Sequence, residues 1–108
     1  MKEPLCPCAE SCYIQRTLEV IGGKWKLPLL CSLSVNGRSR YSDLLRNMNG
    51  ISNTMLSKTL KEMEADGLIL RSEYLEVPIR VEYELTDKAR ALQPILTELL
   101  RWAGAPTE

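Results

Sequence analysis

Three thiols, Cys6, Cys8 and Cys12, stand as Cys-x-Cys-x3-Cys near the N-terminus of a 108-residue chain. They are its obvious candidates for covalent or redox chemistry. A disulfide scaffold would spread its bridges along the chain, whereas clustered thiols in a reducing compartment are more often reactive or metal-binding. Cys12 falls near the expected N-terminus of a first helix, where unpaired N–H groups stabilise a thiolate. Cys6 and Cys8 are close enough in sequence to act as resolving thiols. Three alternatives stay open for this cluster: a redox or electrophile sensor, a soft-metal site, and free thiols on an arm. The metal reading lacks a fourth ligand, because the chain has no histidine and the spacing supplies only three sulfurs. The fourth cysteine, Cys31, lies in an apolar helical stretch and is expected to pack as a small hydrophobe.

A second constellation is polar. In the stretch Gly50 to Gly67, Leu56, Leu60 and Met63 recur at spacings of four and three and share one helical face. Asn53, Thr54, Ser57, Lys58 and Lys61 form a polar, basic arc on the other. Ser52 can cap this helix and Gly67 can end it in a left-handed turn. Short donors and bases early in a helix suit base edges and phosphates. Nothing resembles an enzyme's machinery: there is no histidine, no nucleophile elbow, and Gly22-Gly23 lacks the phosphate-loop pattern. No enzyme activity and no cofactor are expected.

The length supports one domain with an adequate core. The net charge of zero argues against a polyanionic partner until its distribution is considered. From Arg38 to Lys61 there are five bases (Arg38, Arg40, Arg46, Lys58, Lys61) and one acid, Asp43. From Glu62 to Asp87 there are eight acids and two bases, Arg71 and Arg80. No run reaches membrane-spanning length and no secretion leader is seen, so a cytoplasmic protein with no membrane partner is expected.

These stretches need elements to hold them. Residues 1–11, with Pro4 and Pro7, read as an irregular arm, residues 12–104 as the domain, and residues 105–108 as a tail. A first helix is expected from Cys12 to Ile21, stopped by Gly22-Gly23, and a second from Lys24 to Ser34, with Pro28 costing a hydrogen bond or a kink. A short helix is expected from Ser39 to Asn47, burying Tyr41, Leu44 and Leu45, followed by the polar helix. Residues 68–74 and 81–85 have strand character, joined by a tip containing Pro78. Thr86 caps a last helix running to Trp102, broken or bent at Pro94. Its apolar positions, Ala89, Leu92, Ile95, Leu96, Leu99, Leu100 and Trp102, exceed one stripe and call for a second partner surface. This order is a mostly helical α+β fold, a winged helix-turn-helix whose hairpin is the wing, with N- and C-terminal helices available for dimerisation.

The residues also resemble the HxlR-type transcriptional regulators, relatives of the MarR group. The likeness runs from Cys12 and Leu18 through Val20-Ile-Gly-Gly-Lys-Trp-Lys26, Arg40-Tyr41-Ser42-Asp43-Leu44, Gly50-Ile-Ser52 and Glu64-Ala-Asp-Gly-Leu-Ile69. It continues through Tyr74, Glu76-Val-Pro78, Arg80-Val-Glu-Tyr83 and Leu85-Thr86. Departures are Tyr41 where Phe is commoner, Ala89 in place of Gly, Tyr13 after the cysteine in place of Pro, and the additional Cys6 and Cys8. The resemblance implies a homodimer on double-stranded, palindromic DNA. The helix capped by Ser52 would then present Asn53, Thr54, Ser57 and Lys58 to the major groove, with Ser52 itself part of the DNA-binding surface and Lys61 and Arg38 or Arg40 on phosphates. Arg80 would reach phosphate or the minor groove, or else pair with Glu82 or Glu73. Several such regulators sense oxidants or electrophiles through the N-terminal cysteine, matched here by Cys12. A winged-helix module for protein binding is the alternative, favoured by the acidic half from Glu62 to Asp87.

Overall fold

The computed structural model of the chain describes residues 13–105. Cys6, Cys8 and Cys12 lie outside the described residues, as does most of the proposed arm and tail. Five helices and three short strands follow in the order α1 (Tyr13–Ile21), α2 (Lys26–Asn36), β1 (Ser39–Arg40), α3 (Tyr41–Asn47), α4 (Asn53–Ala65), β2 (Ile69–Tyr74), β3 (Arg80–Leu85) and α5 (Asp87–Trp102). The sheet is antiparallel with order β1-β3-β2, and Tyr83 of the central strand faces Ser39 on one side and Arg71 on the other. The fold is a winged helix-turn-helix: α3 and α4 make the motif, and β2 and β3 make the wing.

The core forms where the helical stripes meet the base of the wing. Leu29, Leu30 and Leu33 of α2, Leu44 of α3, and Leu56, Leu60 and Met63 of α4 are buried together with Ile69, Leu85 and Ala89. Ser52 caps α4, its Oγ accepting from the Met55 amide at 3.1 Å. Gly67 follows the helix at φ +78°, the left-handed turn that glycine adopts without strain. Thr86 repeats the capping device on α5, accepting from the Ala89 amide at 3.2 Å.

Several expectations are corrected. Residues 39–40 are not helical. Ser39 is buried and Arg40 is extended, so they add a strand to β3, and α3 starts at Tyr41 with Asp43 accepting from the Arg40 amide. The second helix runs Lys26–Asn36 rather than 24–34, because Trp25 is its N-cap and the turn waits for Gly37 at φ +74°. Pro28 therefore falls in the first turn, where its missing amide proton has no intrahelical partner to lose. The last helix is unbroken from Asp87 to Trp102, so of the two outcomes expected at Pro94 a break does not occur. Pro94 removes only the amide that would have met the Arg90 carbonyl. Cys31 is exposed rather than packed inside. At 100° per residue it lies on the side of α2 opposite Leu29 and Leu33, lining a shallow groove with Leu96 and Leu100 of α5.

Arginines brace the base of the wing. Arg38 Nε donates to Glu82 Oε1 at 2.7 Å and its Nη1 lies 3.3 Å from Glu84 Oε2. Arg80 pairs with Glu82 and, at 2.7 Å, with Glu76, and its guanidinium stacks 4.1 Å from the centroid of Tyr74. Arg38 also donates to the Tyr74 hydroxyl. Burial alone would push the Glu82 carboxyl up; hydrogen bonds and charge from Arg80 and Arg38 outweigh it and hold the carboxyl below its ordinary range.

Leu56 has no exposed surface and seats α4, so Leu56→Ala should lower unfolding free energy by about 2–5 kcal/mol. Urea unfolding measures this, and a loss below about 1 kcal/mol would contradict the packing described. A carboxyl whose pKa folding depresses contributes stability that is present above its unfolded value, about 4.3, and lost as pH falls through the lower folded value. Glu82→Gln should therefore lower the melting temperature near neutrality and flatten its decline below about pH 4.3. Parallel melting-temperature curves for the variant and wild type across that range would show that the brace does not couple to folding.

Candidate nucleic-acid interface

The polar arc of α4 is presented as its sequence spacing implies. With Leu56, Thr59, Leu60 and Met63 turned into the core, Asn53, Thr54, Lys58 and Lys61 are exposed and Ser57 is half-buried. Asn53, Thr54, Ser57, Lys58 and Lys61 share one shallow face. Ser52 sits at its edge, with Oγ engaged as the helix cap. Hydrogen bonds tie this face to α3: Tyr41 Oη lies 3.0 Å from Asn53 Oδ1 and 3.2 Å from Ser57 Oγ.

Between α4 and the wing runs an open groove of about 840 Å³, lined among others by Arg40, Lys61, Arg71 and Arg80. Its charges are not equivalent. Arg80 is neutralised by Glu76 and Glu82, and Arg71 faces Glu73 at 3.1 Å. Glu82 is one of the two partners anticipated for Arg80; Glu73, the other, is with Arg71. Arg38 stands at the wing base in its own ion pairs. Arg40, Lys58 and Lys61 make no ion pair among the described residues, so their charge is available to an anionic ligand. The nine ion pairs among the described residues instead include six of the eight acids between Glu62 and Asp87: Glu62, Glu73, Glu76, Glu82, Glu84 and Asp87. The acidic half is thus largely occupied within the fold, which removes the main reason for reading it as a docking surface.

Among the groove residues that sequence does not assign to the interface are Arg71 and Tyr41. Arg71 gave no signal, since which way a short strand faces depends on a register that only the pairing Arg71↔Tyr83 fixes. Tyr41 read as a core residue, and its ring does pack against the core. Its hydroxyl, however, reaches the polar face. Away from this interface, α1 buries none of its residues and leaves Tyr13, Ile14 and Leu18 exposed. On α5, Ile95, Leu99, Leu100 and Trp102 are exposed too, Trp102 at 84%. No helix among the described residues is long and apolar enough to cross a membrane.

Known proteins share this arrangement. The HxlR-like helix-turn-helix family matches residues 20–108. The uncharacterized HTH-type transcriptional regulator YdzF of Bacillus subtilis is 46% identical over 89 residues, 82% of each chain. The crystal structure of ytcD is 47% identical, with a TM-score of 0.80 over 85% of this chain and 93% of that one. The redox regulator HypR in its oxidized form is 38% identical, with a TM-score of 0.77 over 90% of this chain and 99% of that one. With its exposed polar helix and braced wing, the chain belongs to the HxlR-like helix-turn-helix family and is a DNA-binding transcriptional regulator, not an enzyme.

Proposed function

We propose that the protein binds a palindromic duplex as a homodimer, with α4 of each copy in a major groove, and that its N-terminal cysteines tune that binding. The observation that carries the DNA-contact reading is the division of α4: one face is locked into the core while Asn53, Thr54, Ser57 and Lys58 are left to face base edges. Arg40 and Lys61, unpaired beside the groove, hold phosphates. Arg38 and Arg80 act mainly by holding the wing in place, because their charges are already matched.

The homodimer is supported by the apolar faces of α1 and α5, which find no cover among the described residues. A redox signal is supported by the thiols at Cys6, Cys8 and Cys12 and by the likeness to HypR. In the proposed step, the Cys12 thiolate attacks a peroxide, giving a sulfenic acid and releasing hydroxide. A thiol at Cys6 or Cys8 then displaces that oxygen as water and closes a disulfide, the two electrons having gone to the peroxide. An electrophile would instead alkylate the same thiolate. Cys12 immediately precedes α1, so either event acts beside the proposed dimer contact and changes how the two α4 helices fit their half-sites.

The dimer is checked by sedimentation at micromolar concentration, which should give twice the 12.2 kDa chain mass; a monomer alone would refute it. Lys61→Ala should weaken every duplex alike and lower the slope of log affinity against log salt by about 1. A variant with the wild-type slope would remove Lys61 from the phosphate contacts. For the switch, oxidant should change DNA affinity in wild type and in Cys31→Ser, and leave Cys12→Ser indifferent. A Cys12→Ser protein that still responds would exclude Cys12 as the sensor. Stoichiometric metal in the reduced protein, with DNA binding altered on its removal, would replace this mechanism by the soft-metal one.

A further inference from the structure

Tyr41, the first residue of α3, makes three polar contacts through one phenol oxygen. Its Oη lies 3.1 Å from the Asn53 carbonyl, 3.0 Å from Asn53 Oδ1 and 3.2 Å from Ser57 Oγ. A phenol has a single proton to donate. Both Asn53 atoms are oxygens that can only accept, so that proton is shared between them. The third contact must then run the other way, with the Ser57 hydroxyl donating to Oη. This biases the polarity of both α4 side chains. One lone pair of Asn53 Oδ1 is engaged and that end of the amide is turned to α3, while its Nδ2 amino group has no partner among the described residues. The Ser57 proton is committed, and its oxygen keeps a lone pair with which to accept.

Resting on the reading that α4 enters the major groove, we propose that Tyr41 is a specificity-positioning residue: its hydroxyl presents Asn53 to the bases as a donor and Ser57 as an acceptor. An unrestrained asparagine reads adenine with both ends, accepting from N6 and donating to N7. With its Oδ1 end held toward Tyr41, Asn53 presents its Nδ2 donors foremost, which match the paired acceptors of guanine or the O4 of thymine. Ser57 complements it by accepting from the amino group of cytosine or adenine. Tyr41 touches no base in this scheme. It acts through the two residues that do, from a ring anchored in the core.

The test is selection from a duplex library randomised across the half-site, using wild type, Tyr41→Phe, Asn53→Ala and Ser57→Ala. Phenylalanine keeps the ring in its packing and removes only the hydroxyl. At the base pair where Asn53→Ala loses preference, Tyr41→Phe should shift the choice toward adenine by about fivefold or more relative to wild type. Its melting temperature and salt slope should stay near wild type, which a merely structural role for the hydroxyl does not predict together with altered base choice. The proposal is overturned if Tyr41→Phe selects the same bases as wild type, or binds all duplexes uniformly more weakly, while Asn53→Ala and Ser57→Ala change the selection. If those two alanine variants also select as wild type does, the α4 reading itself fails, and this inference with it.

Discussion

Everything in this structure turns on how α4 is rotated about its own axis. A 13-residue helix is marginal in water by itself, so its order comes from packing one stripe against a partner surface. Leu56 and Met63 are fully buried and Leu60 nearly so, against α2, α3 and the base of the wing. Because an interior packed to crystal-like density tolerates little rotation, that stripe fixes the direction of every other α4 side chain. The polar arc faces outward as a consequence. Ser52 and Gly67 set where the helix begins and ends, and so which turn is presented first.

Electrostatics then selects among the outward residues. The chain is neutral overall, and such a balance usually says little about polyanion binding. What matters is which charges are already matched. The wing concentrates acids, and Arg38, Arg71 and Arg80 are placed among them, where ion pairs and stacking on Tyr74 stiffen a two-stranded hairpin that would be marginal alone. Surface pairs of this kind stabilise weakly one by one. A shared network around Glu82 and Tyr74 is better placed to hold the wing beside α4. Arg40, Lys58 and Lys61 stand outside that network, on the side where α4 is exposed.

The sequence made α4 legible because one long amphipathic period, a serine cap and a terminal glycine all agreed. The strands and α5 were legible for similar reasons: alternation at Val81, Tyr83 and Leu85, and Thr86 as a cap. What could not be read depended on partners distant in sequence. Ser39 and Arg40 look helical locally and become a strand only because β3 offers them a ladder. Cys31 sits in an apolar stretch, yet α2 turns it outward. The interface was legible as a face but not as a hierarchy. Nothing local distinguishes Arg38, held by Glu82 and Glu84, from Arg40 two residues later. The hydroxyl of Tyr41 was hidden in the same way, since its partners lie 12 and 16 residues away.

Two faces of the molecule thus have opposite chemistry. One is polar and basic along α4, and the other is apolar along α1 and α5, where Leu18, Ile95 and Leu99 are each more than half exposed. Site-directed photocrosslinking separates their roles most directly. A benzophenone-bearing side chain placed at position 58 in one preparation, and at position 99 in another, is irradiated with selected duplex DNA present. The account predicts protein–DNA adducts from position 58 and protein–protein adducts of twice the chain mass from position 99. DNA adducts from position 99 with none from position 58 would contradict it.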